Sequence, residues 1–564
     1  MYHIKKMLLA AWILFSAGAN LMAAGAPDTI LINGNIVTVD DTFSMRQAVA
    51  IQGERILAVG SNQAIHALAG PRTEVIDLKG RTVIPGLIDN HVHFIRATDH
   101  WSNEARLDGI TDRNQALKIL SDKAKTLPYG AWLFALGGWF EDQFIGDRRG
   151  FTLDELDALV PDRPVFIQAK YDHAFVNSRW LQTMGIDRVR SGGKGTATDG
   201  LNAFVIRDQS GRASGRLNGG FPMIARAIKR FPPVSEAEQV KGIKAAMAYF
   251  NRLGLTTVFD PAGLGIQEAS YRRIRKLADR GELTLRIFYT LWGGMLSTPE
   301  AARELVKKIV AAHPFQGNAW YERIAFGEVY YPAFHWDSMT RATTPTAADI
   351  EAARSILTAA AEGGWPVQTH AIQPESISYL LDVAEQINRM HPLRALHWSI
   401  AHADHIGAGE IERARALGMN LLLRSHSVNG GLTQVSRKFG DAAYHMPPLR
   451  QVQESGIVYG FGTDGTKDAQ VNPFVTLWWA TTGKMLNGSV ITKEVLTREE
   501  ALIAHTRSNA KILFREADLG AIKPGLLADM VVLDRDYMAI PLDEIKEIKP
   551  VATIVAGRIV YGAL

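Results

Sequence analysis

Val83-Ile-Pro-Gly-Leu-Ile-Asp-Asn-His-Val-His-Phe94 is the stretch on which the reading of the whole chain turns. An apolar run passes through a Pro-Gly turn and leads straight into two histidines at i and i+2. On a β-strand those two side chains point to the same face. Two imidazoles on one face can bind a single ion at roughly 2.0–2.1 Å each. If the strand belongs to a parallel barrel, its C-terminal end is where catalytic groups collect. Alone, the pair His91 and His93 is a weak signal, so other strand ends have to answer it.

Downstream of this stretch, short apolar runs alternate with amphipathic ones. Candidate strands fall at 87–91, 132–136, 165–169, 256–259, 285–289, 324–329, 366–369, 399–401, 420–423 and 458–462. Helical spacing of apolar residues marks 347–362, 375–389 and 409–417. This alternation predicts an α/β fold with a (β/α)8 barrel over residues 85–510. Upstream, residues 29–39 read as two short strands turned at Asn33-Gly34, residues 48–59 as a pair turned at Gly53-Glu54, and 75–83 as one more strand. The last sixty residues return to β, with a strand at 528–534 and a hairpin over 551–561 turned at Ala556-Gly557. The two ends, 25–84 and 511–564, are expected to share one composite β-sandwich beside the barrel.

Composition narrows the function classes. The 564 residues carry 62 Lys and Arg against 58 Asp and Glu, a net charge of +4. The basic residues are dispersed, which excludes a phosphate-tracking nucleic-acid binder. There are no cysteines, so any metal must be held by His, Asp, Glu or a modified Lys. Met1-Tyr-His-Ile-Lys-Lys6 followed by the apolar Met7 to Phe15 and small residues through Ala26 has the layout of a secretory signal peptide, assigned to residues 1–24. The expected location is secreted or periplasmic. The apolar run is shorter than the ~20 residues that span a bilayer, so no stable membrane span is expected after cleavage. A homo-oligomer is compatible with the sequence.

Three further polar residues end apolar strands. His370 closes Val367-Gln-Thr-His370, His402 stands in Ser399-Ile-Ala-His402-Ala-Asp-His405, and Asp464 ends Gly460-Phe-Gly-Thr-Asp464. They occur in the order expected when a barrel gathers ligands from successive strands.

On these residues the chain resembles the amidohydrolase superfamily. More narrowly, it is similar to the branch of YtcJ-like proteins and N-substituted formamide deformylases (amidohydrolase family 3). The resemblance covers nearly the whole chain after the leader. It runs from the opening motif through Gly254-Leu-Thr-Thr-Val258 to the tail Leu519-Gly-Ala-Ile-Lys-Pro-Gly-Leu-Leu-Ala-Asp-Met-Val-Val-Leu533. It implies a metal-bearing (β/α)8 barrel flanked by a composite β-sandwich. It also implies that His91 and His93 hold the more buried metal, that His370 and His402 hold a second, and that Asp464 contacts metal and acts as general base. The metal would lower the pKa of bound water toward ~7, and Asp464 would take the proton and pass it to the leaving nitrogen.

One departure stands out. Relatives commonly carry a carboxylated Lys after the fourth barrel strand, whereas the matching segment here is Ile324-Ala-Phe-Gly-Glu328. Glu328 is expected to bridge two metals in its place, with a mononuclear site as the alternative. Lys170, in Ile167-Gln-Ala-Lys-Tyr-Asp-His173, is the rival for that role or a substrate contact. His173 resembles a His that stabilises substrate or intermediate in the branch. Trp139, in Gly137-Gly-Trp-Phe140, and Arg424 and His426, after the seventh-strand candidate, are expected to bind substrate.

The expected function is an exported hydrolase with one or two divalent ions, Zn2+ being favoured by His-rich ligation although manganese, iron and nickel share such ligands. The substrate would be a small molecule with a non-peptide amide-type carbon–nitrogen bond. A lactonase, carbamate hydrolase or dipeptidase would use the same site. A degenerate barrel serving as a periplasmic binding or regulatory protein is the non-enzymatic alternative.

Overall fold

The computed structural model describes residues 25–186, 200–266, 268–425, 428–430 and 432–564. The expected leader, residues 1–24, and His426 lie outside the described residues.

Eight parallel strands form the body. They are β1 (Leu87–Asp89), β2 (Leu255–Asp260), β3 (Arg286–Leu291), β4 (Tyr321–Glu328), β5 (Val367–Ala371), β6 (Ser399–His402), β7 (Asn420–Arg424) and β8 (Tyr459–Gly462). Each pairs with the next in chain order. Gln368 faces Ser399 across β5 and β6, and Leu421 faces Tyr459 across β7 and β8. The Asn90 N–H reaches the Phe461 carbonyl at 3.3 Å and the Asp464 N–H the His91 carbonyl at 2.8 Å, which draws the two edges together into a barrel. The strands are short and buried on both sides, as a barrel wall under a ring of helices requires. All five residues of β7 are buried.

The helices follow from equally local causes. Thr346 caps the helix Ala347–Glu362 in a reciprocal box with Asp349. That helix buries Ala353, Ile356, Leu357 and Ala360, one face at helical spacing.

Two of the ten candidate strands are not barrel strands. Leu133–Leu136 and Val165–Ala169 join His173–Val176, Ala213–Asn218 and Val205–Arg207 in a separate five-stranded sheet. This sheet is inserted between β1 and β2. Periodicity alone does not distinguish it, because an inserted α/β unit has the same apolar runs as the barrel. The loop Gly137-Gly138 docks the insertion onto the segment after β8. A Cβ at Gly137, whose φ is +92°, would lie 2.0 Å from the Lys467 carbonyl oxygen, so only glycine allows that approach.

The chain ends build the sandwich. One sheet of four strands comes from the N-terminal region, in the order Arg55–Gly60, Ala48–Gln52, Thr29–Ile32, Glu74–Asp77. The other has six strands and mixes both ends: Thr82–Pro85 pairs with Asn35–Val37 on one side and Met530–Leu533 on the other. Leu31, Val49 and Ile56 of the first sheet pack against Val83, Met530 and Ile554 of the second. The single strand expected over 75–83 is two strands, one in each sheet, because the chain turns at Lys79-Gly80. The segments on either side of Asn33-Gly34 are likewise divided between the sheets.

Candidate active site

The C-terminal ends of five barrel strands bring six side chains into one cluster. His91 and His93 follow β1, Glu328 ends β4, His370 lies in β5, His402 ends β6 and Asp464 follows β8. Each is less than a tenth exposed. His402 and Asp464 have φ of 77° and 54°, a left-handed bend that non-glycine residues rarely adopt. Both bends fall where the strand ends and the side chain enters the mouth.

Glu328 is central. Its Oε2 is 3.4 Å from His91 Nε2, 3.3 Å from His402 Nε2 and 3.7 Å from His370 Nδ1, and its Oε1 is 3.7 Å from His93 Nε2. Asp464 Oδ1 lies 3.3 Å from His93 Nε2 and 3.8 Å from His91 Nε2. Three overlapping sets present donor atoms within 4.8 Å of one another: His91, His93 and Glu328; His91, His402 and Asp464; Glu328, His370 and His402.

The neighbours orient these rings. His93 Nδ1 meets the Ala262 carbonyl at 2.7 Å, which turns Nε2 toward the cluster. His370 Nε2 meets Asp337 Oδ1 at 3.1 Å, leaving Nδ1 to face Glu328. Asp337 is itself fixed by the backbone N–H groups of Ile372 and Gln373, at 2.9 and 2.7 Å. The Trp336 ring stacks on His370 with centroids 4.8 Å apart.

Electrostatics divide the histidines. Burial pushes His91 down to about 3 and also lowers His402, which favours the neutral ring that metal coordination requires. Burial works against a charge on His370 as well, but Asp337 and Glu328 outweigh it and raise the ring to about 10. The two carboxylates thus call for positive charge there, which a proton or a cation supplies. Glu328 and Asp464 are held well below the usual carboxylate range despite burial, the first by the surrounding histidines and the second by His93 and Arg424.

The cluster forms the floor of a cavity of about 570 Å³. Phe140, Tyr171, Phe221, Trp292 and Trp336 wall it, and charged side chains stand among them.

The remaining expected residues fare differently. Lys170 lines the cavity, but its Nζ donates to the Gly430 carbonyl at 3.1 Å. Arg424 lines it too, with its guanidinium bound to Asp404, Asp464 and Asp468 instead of facing outward. His173 does not line the cavity. Its Nδ1 is 2.8 Å from Asp172 Oδ2 and its Nε2 2.7 Å from Glu141 Oε1, so neither nitrogen is available to a substrate. Trp139 is wholly buried, packs on Phe144, Phe151 and Phe175, and donates Nε1–H to the Gln168 carbonyl at 2.8 Å. It belongs to the core of the inserted sheet, and its neighbour Phe140 faces the cavity in its place. Sequence reading missed Asp337, Asp404 and Asp468. Asp404 stands two residues after His402 and Asp468 four after Asp464, so proximity to a strand-end ligand was the available signal.

A model of the family described as "Amidohydrolase family" matches residues 74–561. The chain is 25% identical to an N-substituted formamide deformylase of Arthrobacter pascens, with 95% of this chain and 98% of that protein aligned. It is 27% identical to the putative amidohydrolase YtcJ of Bacillus subtilis, over 94% and 98%. Among solved structures, a metal-dependent hydrolase of Pyrococcus furiosus has the same fold, with a TM-score of 0.62 at 21% identity over 90% of this chain and 99% of that one.

Proposed function

Because the chain belongs to the amidohydrolase family, we propose that it is an exported, metal-dependent hydrolase of a non-peptide amide bond in a small organic molecule. His91, His93, Glu328, His370, His402 and Asp464 would hold one or two divalent ions of the zinc type. The observation that carries this reading is the gathering of four histidines around the single carboxylate of Glu328.

The residues fit such a group. His91 Nε2 and Glu328 Oε2 are buried without a hydrogen-bond partner, although they lie 3.4 Å apart. That spacing, and the 3.3 Å between His402 Nε2 and Glu328 Oε2, match the edge of roughly 3.4 Å between ligands placed tetrahedrally at 2.0–2.1 Å from one ion. The donors are imidazole and carboxylate only, a set that suits zinc and its neighbours. When bound, the ion supplies Lewis-acid activation of water and of the scissile carbonyl.

The chain's own groups do the rest. Arg424 and His93 hold Asp464 ionised and oriented. Asp464 takes a proton from the attacking water and returns it to the leaving nitrogen. Water oxygen bonds to the acyl carbon, the carbon–nitrogen bond breaks, and the amine leaves with the proton. Asp337 keeps the His370 ring from turning. The aromatic walls bury the organic body of the substrate. Similarity to a deformylase of N-substituted formamides supports an amide of this kind. The leader-like residues 1–24 support export.

A substrate panel tests the assignment. Metal-loaded protein is expected to turn over N-formyl and N-acetyl amines faster than matched esters, lactones and carbamates. Preference for lactones or carbamates would move the site to those reactions, and inertness to every class would point to a binding or regulatory role.

A further inference from the structure

Arg96 stands one helical turn beyond His93, on the short helix Phe94–Ala97. Residues three apart share a helix face, and both side chains line the same cavity. Gly263 marks how close they are. A Cβ at Gly263 would lie 2.9 Å from Arg96 Nη1 and 3.4 Å from His93 Nδ1. One face of the guanidinium covers the Tyr171 ring, 5.4 Å from its centroid. Its Nε is buried without a hydrogen-bond partner. Among the described residues no carboxylate forms an ion pair with it.

The acids of the cavity are committed elsewhere. Asp172 holds His173 at 2.8 Å, Asp337 holds His370 at 3.1 Å, and Asp464 and Asp468 hold Arg424. Glu328 faces the histidines. Asp260, close behind, spends its oxygens on the backbone N–H groups of Ile95 and Ala262. The other cations differ from Arg96. Arg424 and Lys170 already have partners, and Arg341 is exposed at the mouth. A half-buried guanidinium whose Nε lacks a hydrogen-bonding acceptor loses solvation that the Tyr171 ring and the nearby Asp260 charge replace only in part. A carboxylate from outside would restore it with two parallel charge-assisted hydrogen bonds.

We propose that Arg96 determines specificity by seating a carboxylate of the substrate, so that the preferred substrate is an amide whose nitrogen substituent carries an acid group a few bonds from the scissile linkage. This rests on the hydrolase reading above. The closeness of Arg96 to His93 sets the short spacing, and the aromatic walls take the remaining body.

The test compares N-formylphenylalanine, in both enantiomers, with N-formyl-2-phenylethylamine, which lacks only the carboxylate, on metal-loaded full-length protein. The wild type is expected to favour the acid in kcat/KM by about tenfold to a hundredfold, the value of one charge-assisted contact. Arg96→Gln should erase that preference mainly through KM while still cleaving the neutral amide, and Arg96→Lys should keep part of it. Equal use of both amides by the wild type would overturn the proposal. So would a preference that survives Arg96→Gln, one that is lost instead in Arg341→Gln, or an Arg96→Gln protein that cleaves neither amide. A wild type that cleaves neither would break the hydrolase reading. Calorimetry with 3-phenylpropanoate and 3-phenylpropanamide then decides the role of Arg96 separately. Tighter binding of the acid, lost in Arg96→Gln, supports the carboxylate seat, and equal binding refutes it.

Discussion

The barrel mouth and the inserted sheet both carry candidate site residues at or just beyond the ends of apolar strands, and they use them in opposite ways. At the barrel mouth, residues far apart in sequence converge: His91 and His402 ring centroids are 4.7 Å apart, and His370 and His402 4.6 Å. In the inserted sheet, Trp139 turns into its own core and His173 is clamped between Glu141 and Asp172. Closure makes the difference. A barrel tilts all its strand ends toward one axis, whereas an open sheet sends alternate side chains to opposite faces. A polar residue at a strand end therefore points to chemistry only once the strand's place in the barrel is known.

Substitution can break this contrast, and the largest effect is expected at the mouth. Asp464→Asn should lower kcat by about 10²–10⁴-fold, the usual contribution of a positioned acid–base group. The circular dichroism spectrum should be unchanged. Undiminished kcat would remove Asp464 from the proton path.

Trp139 and Phe140 divide stability from binding. Trp139→Ala empties a buried site, and a loss of about 3–5 kcal/mol in unfolding free energy is expected, with KM unchanged in whatever protein stays folded. Phe140→Ala should raise KM with little loss of stability. Denaturant titration and steady-state kinetics on both variants check this, and the reverse pattern would return Trp139 to the pocket.

The smallest effect is expected at His173 and depends on pH. Burial opposes the charged ring, but Asp172 and Glu141 outweigh it and raise its pKa. A His with a raised folded-state pKa gives its full stabilisation below the unfolded value of roughly 6.5 and loses it as pH rises through the folded value. The difference in melting temperature between the wild type and His173→Asn should therefore be greatest below about pH 6.5 and shrink as the solution is made alkaline. A difference that grows with pH would show that His173 is buried neutral.

Much of the site was legible because barrel ligands sit at strand ends and strands are marked by short apolar runs. His91, His93, His370, His402 and Asp464 stand at such ends in the sequence, whereas Glu328 is marked only by the family resemblance, at the place where relatives carry a carboxylated Lys. Asp337 was not. It lies beyond the short helix Pro332–His335, in irregular chain whose path no periodicity gives, and reaches His370 only through the fold. Arg424 was found, but its three acidic partners come from loops after two other strands, so its inward commitment could not be read. Trp139 was misplaced because a Gly-Gly-Trp-Phe loop does not say which aromatic faces the cavity. In the fold, the barrel and the shared sandwich followed from alternation and from the matching β-rich ends. The inserted sheet did not, since its strands carry the same apolar signature as the barrel's.

The most direct measurement is the metal content of purified full-length protein, taken together with its amide hydrolysis before and after chelation. Between one and two divalent ions per chain are expected, with activity lost on chelation, restored by zinc, and both metal and activity lost in Glu328→Ala. A metal-free protein that hydrolyses amides at an undiminished rate would contradict the account.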